Sequence, residues 1–427
     1  MENKRKLRVL WQSNAPWSPS GYSQQTVDLK RLFLANGWDG SNFGMINMFG
    51  QNGGKFYDAD DILNYPSIDH VMGSDAMIHH GNDFKADIII SLQDVWPLNP
   101  ADLQQVPRFI PWVPVDYDPV PKPLLNNLRF ANRIISMSKF GEKQLQDNGF
   151  ASTYIPHGVD TNVFYPMDKK KRKIELGLDP NMFVFGMVSA NKEQFNPRKS
   201  FQQVLEAFAL FLQKKPNSLL YIHTDPDFPG GFPLKQLAEF LGISNHIAFP
   251  ERYKQKYNTT KEDMNLIYNT FDCLLSPSSS EGFCIPVIEA QACGVPVIVN
   301  DWTSMPELII EGETGYKVKR DDRLRIYYPI GSYLLFPDYV DLYEKMLKIN
   351  GMFTEKMGQA ARKWAVSQYD QTMLFQTKWL PFLENIEREI YGVENMTARI
   401  IKPEQKLKKQ PKIITPKPIV DKPTTTA

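Results

Sequence analysis

Short apolar runs alternate along most of the chain with stretches whose apolar residues recur at helical spacing. Residues 7–12 form the first apolar run and read as a strand. A loop with two prolines and a glycine covers residues 14–21. From Ser23 onward Val27, Leu29, Leu32 and Phe33 mark one face of a helix, which Gly37 ends. Further strands are predicted at 86–91, 109–115, 133–138 and 152–156, with Ser138 capping a helix over 139–147 that Gly149 stops. After the basic stretch 169–173 and Pro180 the alternation starts again. Strands are predicted at 182–189, 218–224, 246–249, 273–277 and 295–300, with helices at 200–214, 234–241, 260–270 and 286–292 between them. Repeated strand–helix alternation implies parallel sheets covered on both faces. The pattern therefore predicts an α/β protein of two doubly wound, Rossmann-like domains facing across a cleft.

The expected division is one domain over residues 1–165, a second over 166–369 and a helical segment over 370–395. Residues 320–337 break the alternation and read as an inserted loop or hairpin on the second domain. Helices are expected at 339–349 and 354–368, and a long amphipathic one at 371–391 carrying Trp379, Leu380, Phe382 and Leu383. Residues 396–427 form a tail rich in Lys, Pro and Thr, with little to bury, and are expected to be disordered.

The most informative segment is Ser278-Ser-Ser-Glu281-Gly282-Phe283-Cys284-Ile285-Pro286-Val-Ile-Glu289. Two carboxylates stand eight residues apart around a glycine-containing turn and a helix start. Proline fits the first helical position, where its missing N–H costs nothing. Amides of such a turn have no intrahelical acceptor, and with the helix dipole they make an anion site. A diphosphate held there by Gly282, Phe283, Cys284 and Ile285 would put its two substituents within reach of Glu281 and Glu289.

This segment resembles the Glu-x7-Glu signature of retaining, nucleotide-sugar-dependent glycosyltransferases of the GT-B fold, family 4 in particular. Ile155-Pro-His157-Gly-Val-Asp160-Thr-Asn-Val-Phe164 is similar to the inter-domain segment of the same family. The resemblance covers roughly the first nine-tenths of the chain, with its specific motifs in the second half. It implies a GT-B-like fold with the acceptor on the N-terminal domain and the donor on the C-terminal one, the final helix crossing back to the first. It also implies a UDP- or GDP-type sugar as substrate, retention at the anomeric carbon, and no metal or other cofactor. Glu281 would then contact the transferred sugar and Glu289 the ribose. The family places an Arg and a Lys where the leaving diphosphate needs neutralising. Lys199 fits the Lys. The Arg sits several residues earlier in the family, where this chain has Ser189-Ala-Asn191-Lys192, so either Arg198 or Lys192 could take its place. Where the family has a Gly-Gly pair before the first helix, this chain has Ser20-Gly21. Gly21 could still let the backbone approach a donor. Related enzymes often carry a catalytic His in the first domain. Asp116, after the strand 109–115, stands as the candidate here for acceptor contact or weak base assistance.

Other chemistry is weaker. Asp116-Tyr-Asp118 and Asp225-Pro-Asp227 could hold Mg2+ beside a diphosphate, as in the other main glycosyltransferase fold, but two complete α/β halves argue against that fold. His157 reads as structural, and His79-His80 lacks the further ligands a metal needs. Three cysteines, Cys273, Cys284 and Cys293, each in apolar context, read as buried small side chains in a reducing compartment.

With 42% hydrophobic and 23% charged residues the composition is that of an ordinary globular protein. A formal net charge of +1 supplies no global attraction to nucleic acid or membrane, and no stretch is apolar enough to span a bilayer or serve as a signal peptide. The expected location is cytoplasmic. The acceptor (glycan, lipid, small metabolite or modified nucleic acid) and the oligomeric state are left open. A nucleotide-sugar isomerase or epimerase on the same fold, and a non-catalytic sugar-nucleotide-binding protein, are the alternatives.

Overall fold

A computed structural model of the protein describes residues 7–50, 54–70, 72–195, 198–251, 259–351 and 354–392. The tail expected from residue 396 lies outside them. Two sheets account for most strands. The first holds β1 (Val9–Asn14), β2 (Phe43–Met48), β3 (Phe56–Tyr57), β4 (Leu63–Pro66), β5 (Ile88–Leu92), β6 (Phe109–Val113), β7 (Ile135–Ser136) and β8 (Thr153–Tyr154). Their spatial order is β3-β4-β2-β1-β5-β6-β7-β8, and all pairs are parallel except β3 with β4. The second sheet holds β9 (Phe183–Val188), β10 (Ser218–His223), β11 (Ile247–Ala248), β12 (Cys273–Ser276), β13 (Val297–Asn300) and β14 (Gly315–Val318), all parallel in the order β11-β10-β9-β12-β13-β14. The predicted α/β architecture of two doubly wound sheets is the one observed.

Strand order reverses between β1 and β5 in the first sheet and between β9 and β12 in the second. In open α/β sheets such reversals open a crevice at the strands' carboxyl ends. The segments leaving β1, β5, β9 and β12 carry Gly21, Asp94, Arg198 with Lys199, and Glu281.

Residues 320–337 form a separate antiparallel hairpin, β15 (Arg320–Tyr328) and β16 (Ser332–Pro337). It follows β14 but packs toward the first sheet: Tyr117 joins Leu334 and Phe336 in a small buried cluster. The basic stretch after residue 168 is itself a helix, Lys169–Glu175, capped by the Asp168 side chain, and its Lys173 pairs with Asp272 at 2.6 Å.

The single helix expected over 371–391 is interrupted. Gln371–Leu374 is α-helical, Phe375–Trp379 makes one wider π turn, and Leu380–Tyr391 resumes the α-helix with Pro381 in its first turn. A π turn absorbs an extra residue and re-aims the side chains beyond it. Here Trp379 lies edge-on to Trp11 at 6.0 Å and to Trp112 at 5.1 Å, beneath the first sheet. Glu389 pairs with Arg133, and the Tyr391 hydroxyl donates to Asp87. Among the described residues no helix is long and apolar enough to cross a membrane.

Candidate active site

The segment from Ser278 to Cys284 leaves β12 and feeds the helix Ile285–Ala292. That helix begins one residue earlier than the sequence predicts: Cys284 is its N-cap, so Ile285 precedes Pro286 in the first turn. Pro286 still falls where no N–H partner exists. Cys284 holds φ +90° and ψ 69°, a left-handed conformation that a side chain adopts only at a cost of roughly 1–3 kcal/mol. Its Sγ lies 3.1 Å from Ser276 Oγ inside the core. The turn so formed leaves the N–H groups of Gly282, Phe283 and Cys284 without a protein acceptor among the described residues. Three free amides on a helix N-terminus are the donors an anionic group needs. Thr303 and Ser304 fix the turn from behind: Glu281 N–H donates to Thr303 Oγ1 at 3.1 Å, and Ser304 Oγ donates to the carbonyls of Glu281 at 2.8 Å and Phe283 at 3.1 Å.

Gly282 and Gly21 are close-approach positions. A Cβ on Gly282 would lie 2.6 Å from Pro114 Cβ, in the segment after β6, and one on Gly21 would lie 3.3 Å from Ile285 Cδ1. The start of the Gly21–Ala35 helix, capped by Ser20 Oγ accepting from Ser23 N–H, therefore abuts the start of the Ile285–Ala292 helix. Ser280 Oγ donates to the Asp116 carbonyl, a second link between the two sheets' loops.

Glu281 is 7% exposed and sits between two cations. Lys199 pairs with one carboxylate oxygen, and Arg198 Nη1 lies 3.3 Å from the other. Burial alone would raise its pKa, but Lys199 and Arg198 outweigh it and hold the carboxyl at about 2. Arg198 also donates to the Ser280 carbonyl at 2.6 Å and stands 4.0 Å from Asp116. Lys192 is exposed and takes no part in this network. Of the two cations weighed as partner for Lys199, the structure brings Arg198 to Glu281.

Glu289, also 7% exposed, accepts a 2.7 Å hydrogen bond from the Tyr268 hydroxyl. Its carboxyl is pushed up to about 7 by burial, which outweighs the Tyr268 bond and the charge of Lys261. Lys261 is itself paired with Asp28 of the Gly21–Ala35 helix. Asp116 is likewise raised to about 7 by burial, although Arg198 opposes the shift.

The remaining candidates fall outside this group. His157 is buried between Trp112 and Phe283, with ring centroids 4.3 and 5.2 Å away, and its Nδ1 meets Gln25 Oε1 at 3.1 Å. Burial drives its pKa down to about 3, so it is a neutral packing group beneath Phe283. Asp225 accepts from the Asp227 N–H within a turn after β10, and Asp227 pairs with Lys235 at the surface. Asp118 is exposed, and His80 Nε2 bonds the Pro66 carbonyl. Tyr22, Asp94, Tyr268 and Tyr328 were not singled out from the sequence. Asp94 could have been, since it follows a predicted strand at its carboxyl end. No spacing pointed to the tyrosines.

Residues 168–326 match the family described as "Glycosyl transferases group 1". Among curated relatives, a D-inositol 3-phosphate glycosyltransferase of Segniliparus rotundus is 30% identical over 167 residues, covering 38% of this chain and 35% of its own. One of Mycobacterium sp. (strain KMS) is 32% identical over 169 residues, covering 39% and 35%. The chain thus spans about a third of the length of the curated relatives it matches. Solved structures align over far more of it. Sucrose-phosphate synthase from Thermosynechococcus elongatus covers 90% of this chain and 100% of its own at TM-score 0.70 and 15% identity. Anabaena Alr3699/HepE in complex with UDP and glucose covers 89% and 100% at TM-score 0.64 and 15% identity. The chain therefore has the GT-B fold, and its residues 168–326, which contain Lys199, Arg198, Glu281 and Glu289, carry a glycosyl transferases group 1 segment.

Proposed function

We propose that the protein is a retaining glycosyltransferase that moves a sugar from a nucleoside-diphosphate sugar, of UDP or GDP type, to an acceptor hydroxyl without a metal ion. The observation that carries this reading is the pair Glu281 and Glu289 flanking three unclaimed amides. In it the amides of Gly282, Phe283 and Cys284 take the diphosphate. Glu289 accepts from the ribose hydroxyls, with Tyr268 holding its carboxylate in place. Arg198 and Lys199 neutralise the leaving diphosphate, and Glu281 holds both cations beside it while facing the sugar.

The chemical step is then front-side. The bond from the anomeric carbon to the phosphate oxygen breaks, and its electron pair leaves with the diphosphate. The acceptor oxygen bonds the same face of that carbon, and its proton passes to the departing phosphate oxygen. Cations placed where charge develops accelerate such a step without a covalent nucleophile. The group 1 match of residues 168–326 and the UDP and glucose bound in the Anabaena structure of like fold support the donor class.

A panel of UDP- and GDP-sugars tests the reading, with free nucleoside diphosphate measured in the presence and absence of EDTA and the product anomer identified by NMR. Release of nucleoside diphosphate with retained configuration in EDTA is expected. An epimerised donor would identify an isomerase, and binding without turnover a binding protein. Activity lost in EDTA and restored by Mg2+ or Mn2+ would overturn the metal-free step.

A further inference from the structure

Opposite the Glu281 turn, the first sheet presents polar groups that the donor does not use. Asp94 follows β5 and Asp116 follows β6, and both feel the charge of Arg198. Apart from that 4.0 Å approach of Arg198 to Asp116, neither carboxylate has a cation or side-chain hydrogen-bond donor among the described residues. Tyr117 is only 7% exposed, and its hydroxyl keeps some solvent access while having no hydrogen-bond partner among the described residues. Tyr22, half-buried and with no hydrogen-bond partner for its hydroxyl among the described residues, lies in the first turn of the Gly21–Ala35 helix, where Gly21 meets Ile285.

The hairpin β15–β16 closes this side. Tyr328 lies nearly parallel to Tyr117, with centroids 5.9 Å apart at 15°, and Ser332 Oγ donates to the Pro119 carbonyl at 2.8 Å. On its other edge the Leu335 carbonyl accepts from Asn300 Nδ2 at 2.9 Å, and the same amide group binds the Ser278 carbonyl. The hairpin so ties the Asp116 loop to the Glu281 turn. Its second strand lies beyond the end of the group 1 match at residue 326.

We propose that Tyr22, Asp94, Asp116 and Tyr117, walled by Tyr328 of the hairpin, form the acceptor subsite, and that the part of the acceptor entering it bears hydroxyls and no phosphate or other negative charge. This rests on the glycosyltransferase reading and names its acceptor class. Half-buried carboxyls, and tyrosine hydroxyls without hydrogen-bond partners, are satisfied by a polyhydroxylated ligand, since each can accept from a sugar or polyol hydroxyl. At pH 8, above the value of about 7 to which burial lifts Asp116, a phosphate brought against that carboxylate beside a donor that already carries a diphosphate meets like charge on both sides, and the nearest cations, Arg198 and Lys199, are shared between Glu281 and that diphosphate. The curated relatives' names specify a phosphorylated acceptor, so the subsite sets this chain apart from them.

The test, run at pH 8, uses acceptors in pairs differing by one phosphate: hexoses, inositol, glycerol and nucleosides, each beside its monophosphate, with nucleoside diphosphate release as readout. The neutral member of a pair should be used with kcat/KM at least about tenfold higher. Asp94→Asn should narrow that ratio, and Tyr117→Phe should raise KM for the neutral member more than it lowers kcat. Preference for phosphorylated members, no use of any neutral member, or a ratio unchanged in Asp94→Asn with Tyr117→Phe kinetics at wild type would overturn the subsite. Sugar nucleotides that are neither bound nor hydrolysed would overturn the function reading instead.

Discussion

Glu289 is under two opposed demands. Its burial lifts the carboxyl from 4.5 to about 7. Between those values the folded protein keeps a proton that the unfolded chain has released, so stability falls as pH rises through that window. Glu289→Gln removes the ionisable group and should gain stability relative to wild type from pH 5 to 8, by up to about 3 kcal/mol. The same change should weaken donor binding by roughly 1.5–3 kcal/mol, because a charged acceptor of ribose hydroxyls is lost. Melting curves and calorimetric titration at both pH values check the two halves. A variant no more stable at pH 8, or one that binds donor like wild type, contradicts the assignment. Lys199 acts at a different moment. Lys199→Ala should lower kcat by about 100-fold with a smaller change in donor affinity, since its charge counts most as the diphosphate departs. Arg198→Ala should behave similarly and Lys192→Ala far more mildly. Equal losses in Lys192→Ala and Arg198→Ala, measured by initial rates, would reject the partner that the geometry selects.

At the scale of elements, the strands and helices that were legible are those with strong apolar runs bounded by caps. The helix Lys139–Asp147 falls on its predicted bounds because Ser138 and Gly149 mark both ends. β2, β4 and the helix Ser74–Phe84 were not read, because Phe43-Gly-Met-Ile-Asn-Met and Leu63-Asn-Tyr-Pro mix buried polar with apolar positions: Asn47 and Asn64 satisfy each other across the sheet at 2.8 Å. The π turn at Phe375–Trp379 has no periodic signature of its own. In the candidate site, Glu281 and Glu289 stood out by their spacing, whereas Lys199 and Arg198 were reached only through the resemblance to family 4. The Tyr117–Tyr328 pair was not legible, since only the folding of the hairpin against the first sheet brings the two rings together. Gly282 shows how tight that approach is. Gly282→Ala would drive a Cβ into Pro114 and should cost about 1–3 kcal/mol of stability while displacing the donor amides. Turnover should fall by more than the melting temperature explains when measured well below melting. Wild-type rates in Gly282→Ala would mean that the turn does not need its place against Pro114.

Over the whole molecule, one continuous apolar cluster runs from Leu7 and Trp11 through Ile288 to Trp379 and Leu383, so the two sheets and the C-terminal helix share a core. Trp379 is central to it, 2% exposed and edge-on to Trp11 and Trp112. Trp379→Ala should destabilise by about 3–5 kcal/mol while leaving donor affinity at low temperature near wild type, because its ring partners are Trp11, Trp112 and Phe382. A melting curve that loses little would show that the C-terminal helix contributes less to the core than its burial indicates. As a nucleoside-diphosphate sugar site, the turn between Glu281 and Glu289 is open to calorimetric titration of the wild-type protein with UDP- and GDP-sugars, repeated with free UDP, GDP and the parent sugars. Saturable one-to-one binding of at least one sugar nucleotide, retained in large part by its diphosphate and absent for the free sugar, is the predicted result. No binding by any sugar nucleotide, or binding unchanged in both Glu289→Gln and Lys199→Ala, would contradict it.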